Sequence, residues 1–366
     1  MTNQTITLEQ RLARVEEHNM AVLAAGQQEV QLPHENEQWW PSLIAEYGSE
    51  DALFNKVGID RAVFEDVLSF VQDVAGERRG RRSGIGSNRE KLLFLMTFMA
   101  KGVYALESMV MRFIKSRDHI REKAKAIARL FRDNVVDATV RYIDEHHEAL
   151  PGASLIVDCM VCETQRPKKS FKEAKVYFSG KHYFYAQKKG VCVNIRSGTA
   201  AIISGGFPGC VHDIVVLRSQ AREINETLNG RSILADLGYR GAIHDIPTLI
   251  VCTQQDQALR SRRVLVECFF GRLKRLWSIF SHMWTLGEEV FDVFFDIACG
   301  FTNVHILRHP LREVDAVFNK GTLNMIKKQQ KERIEAKKVA NETNRRKRQE
   351  ELGPGDNHNP THVRFV

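Results

Sequence analysis

The sequence lacks the marks of an exported or membrane-spanning chain. Met1 to Gly26 is amphipathic and carries Glu9, Glu16 and Glu17. It therefore lacks the basic start and apolar run of a secretory signal. The longest apolar run, Leu92 to Ala100, is closed by Lys91 and Lys101, well short of the roughly 20 residues that cross a bilayer. A soluble, unsecreted protein with no membrane partner is expected. A disulfide framework is missing too. The seven cysteines are odd in number and mostly embedded in apolar runs such as Val191-Cys192-Val193 and Val251-Cys252, as buried reduced thiols of an intracellular protein are. Cys159 and Cys162 have the spacing of half a zinc knuckle, but no second Cys/His pair lies close in sequence. On a strand, residues three apart also point to opposite faces, so zinc is not expected.

What is present is charge of one sign and enough apolar material for sizeable cores. With 366 residues and 43% hydrophobic content, the chain holds one large domain or two ordinary ones. Lysine plus arginine number 53 against 45 acidic residues, a net +8, and the pI is near 9.1. Such a surface favours polyanions, nucleic acid before anionic membrane; the plain alternative is a Lys excess that only aids solubility.

Four regions are expected: a mobile leader over 1–35, a helical region over 36–150, an α/β region over 151–310 and a basic helical or disordered tail over 311–366. In the second, Ser87-Asn88-Arg89-Glu90 is a capping box opening a helix over Leu92–Ala100. Gly102 ends that helix, and helices over Leu106–Phe113 and from Ser116 complete a helix-turn-helix-like unit. Its candidate DNA contacts are Arg78, Arg79, Arg81 and Arg82 in a Gly-rich loop, and Arg117 and Arg121 on the third helix beside Lys123, Lys125 and Arg129. A plain helical domain with solvated cations is the alternative. After Pro151-Gly152 the pattern predicts strands over Ser154–Met160, Lys181–Asn194 and Thr199–Gly205, then a helix over His212–Leu228. Strands over Ser232–Ala235 and Thr248–Cys252 and a helix over Ser261–Phe280 follow. That order implies an α/β fold with one mixed sheet and helices on its faces. In the tail, Asn344-Arg345-Arg346-Lys347-Arg348 is a nuclear-import signal, a DNA-backbone contact or mere solvation, with fraying by Gly353-Pro354-Gly355.

Asp158, Asp213 and Asp236 interrupt apolar stretches, Leu-Ile-Val-Asp, Val-His-Asp-Ile-Val and Ile-Leu-Ala-Asp, while Glu267 lies in the last long helix. A carboxylate flanked by core strands is costly unless paired or bound to metal. Clusters of oxygen ligands select hard cations such as Mg²⁺ or Mn²⁺, and two such ions stabilise the attacking and leaving oxygens of displacement at phosphorus.

These residues fall in five ordered blocks: Ile156-Val157-Asp158; Tyr177-Phe178-Ser179-Gly180-Lys181-His182; Pro208-Gly209-Cys210-Val211-His212-Asp213; Leu234-Ala235-Asp236-Leu237-Gly238-Tyr239; and Val266-Glu267-Cys268-Phe269-Phe270-Gly271-Arg272-Leu273-Lys274. Over Leu155 to Arg308 the sequence resembles the DDE superfamily endonuclease domain of Harbinger-type transposases and, more distantly, bacterial insertion-sequence transposases. The resemblance implies an RNase H-like core preceded by the all-α, helix-turn-helix-like region. It also implies a catalytic triad of Asp158, Asp236 and Glu267, a further metal-ligating acid in Asp213, and divalent Mg²⁺ or Mn²⁺. The implied activity is DNA cleavage and strand transfer; the alternatives are a catalytically silent DNA-binding descendant and a nuclease without strand transfer. Implied partners are DNA, a separate Myb-like DNA-binding protein and a second copy of the chain, in the nucleus of a eukaryote or otherwise the cytoplasm. Arg263, Glu267 and Lys274 share one helix face at the offsets of the insertion-sequence Tyr-Arg-Glu-Lys signature, with Arg260 where its Tyr would be. Arg263 and Lys274 are further candidate DNA contacts. Cys159 and Met160 follow the first Asp where small or hydroxyl residues are more usual. His182, His212 and His282 are expected to be structural, Tyr239 to pack under the site, and Trp277 and Trp284 to be core.

Overall fold

A computed structural model describes residues 49–72, 87–110, 117–140, 153–168, 170–252 and 257–351. The leader, the loop with Arg78, Arg79, Arg81 and Arg82, the Arg117 side chain, and the chain end beyond 351 lie outside the described residues.

Among the described residues the helical region opens with α1 (Glu50–Val57) and α2 (Arg61–Val71), whose first turns are closed by Ser49 and Asp60 accepting from the amides of Ala52 and Val63. The expected capping box is formed: the Ser87 amide donates to Glu90 at 2.7 Å and the Glu90 amide to Ser87 Oγ at 3.3 Å. It opens α3 (Asn88–Val110), broken at Gly102 by φ 74°, ψ −177°, a backbone conformation for which glycine is suited. Helix α4 (Arg117–Thr139) follows.

Strand β1 (Ala153–Glu163) starts the α/β part. After it come α5 (Phe171–Lys175), β2 (Phe178–Ser179), β3 (Phe184–Asn194), β4 (Ala200–Ile203) and β5 (Phe207–Pro208). Next are α6 (Asp213–Ser219), α7 (Ala221–Leu228), β6 (Ser232–Ala235), a 3₁₀ turn (Leu237–Ala242) and β7 (Leu249–Val251). The described residues end in α8 (Gln257–Leu276), α9 (Phe291–Arg308) and α10 (Ala316–Glu351). One mixed sheet has β1 at its centre. β3 lies antiparallel on one side, with β2, β5 and β4 along its far edge; β6 and then β7 lie parallel on the other. Leu155, Val157 and Ala235 pack on one face against α6 and α7; Ile156, Met160 and Leu234 pack on the other against α8 and α9.

Helix α9 is buried around nearly its whole circumference and binds the two regions together. Buried residues of α2, α3 and α4 and those of the sheet join one continuous core through it. Gly300 lets α4 approach closely, since a Cβ there would meet Val135 Cγ1 at 2.4 Å. Asn303, wholly buried, donates to the carbonyls of Thr139 and Ala200 and accepts from the Ala200 amide at 2.7 Å. Asp296 takes Lys189 of β3 on one oxygen at 3.1 Å and Arg132 of α4 on the other at 2.7 Å. The buried Asp66 of α2 similarly pairs with Arg308 and Lys327. The segment Glu288–Arg308 is long and apolar enough by composition to cross a membrane, yet 83% of it is buried inside the protein.

Several expectations need correction. Strand β1 runs three residues beyond Met160 because β3 keeps pairing with it, and β3 begins only at Phe184. The helix expected over His212–Leu228 divides at Gln220. Sequence periodicity does not mark helix α9, since a helix buried on nearly all sides lacks the solvated charged face that sets the period. The tail is not simply solvated: Asn319, Leu323 and Ile326 of α10 are buried. All seven cysteines are free, but Cys210 and Cys268 are exposed rather than buried.

Replacing Asp296 by alanine leaves Lys189 buried beside fewer counter-charges and should cost about 3–5 kcal/mol of stability. A urea midpoint equal to wild type would show that this ion cluster does not hold the two regions together.

Candidate active site

The parallel register of β1 with β6 brings two acids to one place. Ile156 pairs with Leu234, so two residues further on Asp158 stands beside Asp236, on the same side of the sheet. β6 ends at Ala235, whereas β1 continues with β3 alone. The acids thus sit at a step in the sheet, where carboxylates retain access to water. Asp236 Oδ1 accepts from the Gly238 amide at 2.7 Å and caps the 3₁₀ turn. That turn carries Tyr239 back under β1, where its hydroxyl donates to Asp158 Oδ1 at 3.3 Å. The Cys159 amide donates to the same oxygen at 2.8 Å. Burial keeps the Tyr239 phenol protonated, shifting its pKa far upward.

The third acid arrives from α8, which lies on the sheet through Leu265, Val266, Phe269 and Leu273. One turn apart on its exposed side, Arg263 and Glu267 are paired at 3.3 Å, and Arg263 reaches Asp236 at 3.5 Å. A single guanidinium therefore joins Asp236 to Glu267. Lys274 lies two turns further along, near Cys162 and His182, and both feel its charge.

Asp213, at the start of α6, is paired to Lys188 at 2.8 Å, and Lys188 also donates to the Val211 carbonyl at 2.7 Å. Lys188 did not emerge from the sequence reading, although Gln187-Lys188-Lys189 within an otherwise apolar strand was a legible anomaly. Burial raises the Asp158 pKa above its usual range. The Cys159 amide and Arg263 oppose that shift, and Asp236 and Asp213 reinforce it. Cys159 and Cys162 are both pushed up to about 12 by burial, and their neighbours, Tyr239 and Lys274, lie on opposite faces of the strand. His212 makes no side-chain cap on α6, His282 bonds the Ser278 carbonyl, and His182 stacks on Phe184. Trp277 and Trp284 are core residues. Arg121 pairs with Asp118 on its own helix.

The site is rich in oxygen ligands, the donor chemistry of a hard divalent cation. Among the described residues, however, no group of three or more His, Cys, Asp or Glu side chains is arranged to hold a metal ion. Arg263 provides the positive charge between Asp236 and Glu267, and Lys188 provides it at Asp213.

The family model for the DDE superfamily endonuclease matches residues 157–303. The match starts one residue before Asp158 and ends within α9. No curated protein and no solved structure matches the chain. The family match implies a nuclease- or transposase-type function with DNA as substrate, and endonuclease domains of this family typically use divalent metals.

The raised Asp158 pKa sets a pH dependence. Because protonation of Asp158 favours the fold, its charged form carries a stability cost. That cost is absent well below pH 3.8, grows as pH rises toward the raised folded value, and is constant above it. Asp158→Asn should therefore raise the melting temperature in metal-free buffer at neutral pH and change little at pH 3. A neutral-pH melting temperature at or below wild type would contradict the burial account of Asp158.

Proposed function

We propose that this chain is a metal-dependent DNA nuclease of the transposase type, built on an RNase H-like core. The observation that carries the reading is the joining of three acids from separate elements within the matched segment. Asp158 on β1 stands beside Asp236, just past the end of the adjoining β6, and Glu267 is tied to Asp236 through Arg263. The strand order β4-β3-β1-β6-β7, antiparallel on one side of β1 and parallel on the other, supports the fold assignment.

In this reading Asp158, Asp236 and Glu267, with Asp213, hold Mg²⁺ or Mn²⁺. When bound, such ions lower the pKa of water and neutralise charge developing at the phosphate. Tyr239 fixes one oxygen of Asp158. Arg263, displaced from its carboxylates, and Lys274 further along the same helix are placed to hold phosphate oxygens. Strand transfer by a freed 3′-hydroxyl, kinship with Harbinger-type elements, a Myb-like partner, self-association and a nuclear location belong to the same proposal. A second reading, a catalytically silent DNA-binding descendant, is favoured by the ion pairs that already satisfy Asp213, Asp236 and Glu267.

Activity decides between them. Asp236→Asn and Glu267→Gln should each abolish Mg²⁺- or Mn²⁺-dependent nicking of supercoiled DNA while leaving DNA affinity unchanged. Nicking by both variants at the wild-type rate would remove these acids from the chemistry. A wild-type chain that binds DNA but never nicks it, with either metal, would establish the silent reading. Neutralising Arg78, Arg79, Arg81 and Arg82 together should weaken binding evenly across DNA sequences. It should also flatten the salt dependence by about one counterion per lost phosphate contact; an unchanged slope would place the DNA elsewhere.

A further inference from the structure

Beyond the acids, β1 and β3 run on past the end of β6 as an arm of the sheet, with β5 and then β2 paired along the far edge of β3. The pairing of β1 with β3 continues to Glu163 opposite Ala186, and the connecting segment holds α5, β2 and the turn into β3. Residues 164–184 contain six lysines and arginines, Arg166, Lys168, Lys169, Lys172, Lys175 and Lys181, against one acid, Glu173. Unusually large apolar groups are exposed among them: Phe171 is 68% exposed and Tyr183 is 83% exposed.

Tyr183 is the most telling of these residues. Its φ of 61° places it in the left-handed region, an outlier for a bulky side chain. The conformation is held by its amide donating to the Ser179 carbonyl at 2.8 Å. Gly180, in the same turn, has an ordinary φ, so the residue best suited to the strained position does not occupy it. Among the described residues the Tyr183 ring and hydroxyl have no partner. Lys181 precedes it, while His182 stacks on Phe184 at 5.5 Å. Burial lowers the His182 pKa, the charges of Lys181, Lys188 and Lys274 lower it further, and Asp213 opposes them. Scattered exposed aromatics are ordinary; one held out by a strained backbone among cations combines the two requirements for binding unpaired nucleotides, a stacking face and a cationic path for phosphates.

We propose that this arm is a nucleic-acid-binding ridge on which Tyr183 stacks an unpaired base while Lys181 and its basic neighbours hold the adjoining phosphates. The proposal rests on the DNA-nuclease reading and adds the form of the substrate: DNA with a single-stranded end or an unpaired stretch. Val191 pairs with Asp158, and the start of β3 at Phe184, next to Tyr183, lies roughly 23 Å along the strand at about 3.3 Å per residue.

The test is fluorescence anisotropy with the full chain in chelator, using a blunt duplex and the same duplex with a single-stranded tail. Tyr183→Ala and Tyr183→Gly should lose about tenfold in affinity for the tailed probe and little for the blunt one, with Tyr183→Phe close to wild type. Glycine relieves the left-handed backbone, so Tyr183→Gly should melt no lower than wild type, separating lost contact from lost fold. Three results would overturn stacking: undiminished binding of the tailed probe by both small variants, which leaves a protein as the occupant of the ridge; equal losses on both probes; or a loss in Tyr183→Phe as large as in Tyr183→Ala. In each of these the nuclease reading survives. A wild-type chain that binds neither probe overturns both.

Discussion

Asp296 lies in the middle of a helix with almost no access to water, and an ionised carboxylate there is tolerable only with cations held against it. It has two, one from each side of the molecule: Lys189 from the sheet and Arg132 from α4. This pairing fixes more than one helix position. It sets how far α9 is inserted between the helical region and the sheet, and it pins β3, whose register with β1 aligns the centre of the sheet. Asn303 and Gly300, one to two turns along, close the same interface by hydrogen bonding and by close approach.

With the sheet held in that way, the acidic site follows from strand lengths. β6 is short and β1 is long, so the sheet narrows where Asp158 and Asp236 meet. Charge can survive there because only one side of the strand is covered. Helix α8 then needs only an apolar face against the sheet and a charged edge to bring Arg263 and Glu267 to the step. The three acids are thus placed by ordinary packing rather than by a dedicated loop, and the mutual repulsion that packing imposes is offset by Arg263 and Lys188.

Much of this was legible in the sequence because it was written in contrasts: Asp158 and Asp236 against apolar strands, Gly102 and the Ser87–Glu90 box against helical stretches. Tyr239 under the site and the two tryptophans in the core were legible for the same reason. What escaped lacked contrast or depended on distant partners. Helix α9 is buried on nearly all sides and has no broad solvated face by which to time its period. Lys188 and Lys189 gain meaning only from Asp213 and Asp296, far away in the chain, and Tyr183 only from a backbone angle that no local sequence rule assigns to tyrosine. The pairing of Arg263 with Asp236 likewise required the packing of α8, although its pairing with Glu267 is a simple helical offset.

The enclosure of α9 also orders events during synthesis. Arg132 and Asp296 are 164 positions apart, so α2 to α4 and the sheet emerge from the ribosome long before the helix that joins them. Until α9 arrives, each half presents the apolar surface it will later share, and α9 itself, as apolar as a membrane span, has nowhere else to go. Contacts of such long range form late, and exposed surface of this kind favours aggregation while they are missing. Truncations that end before Arg308 therefore remove not a peripheral helix but the element that allows the first half of the chain to finish folding.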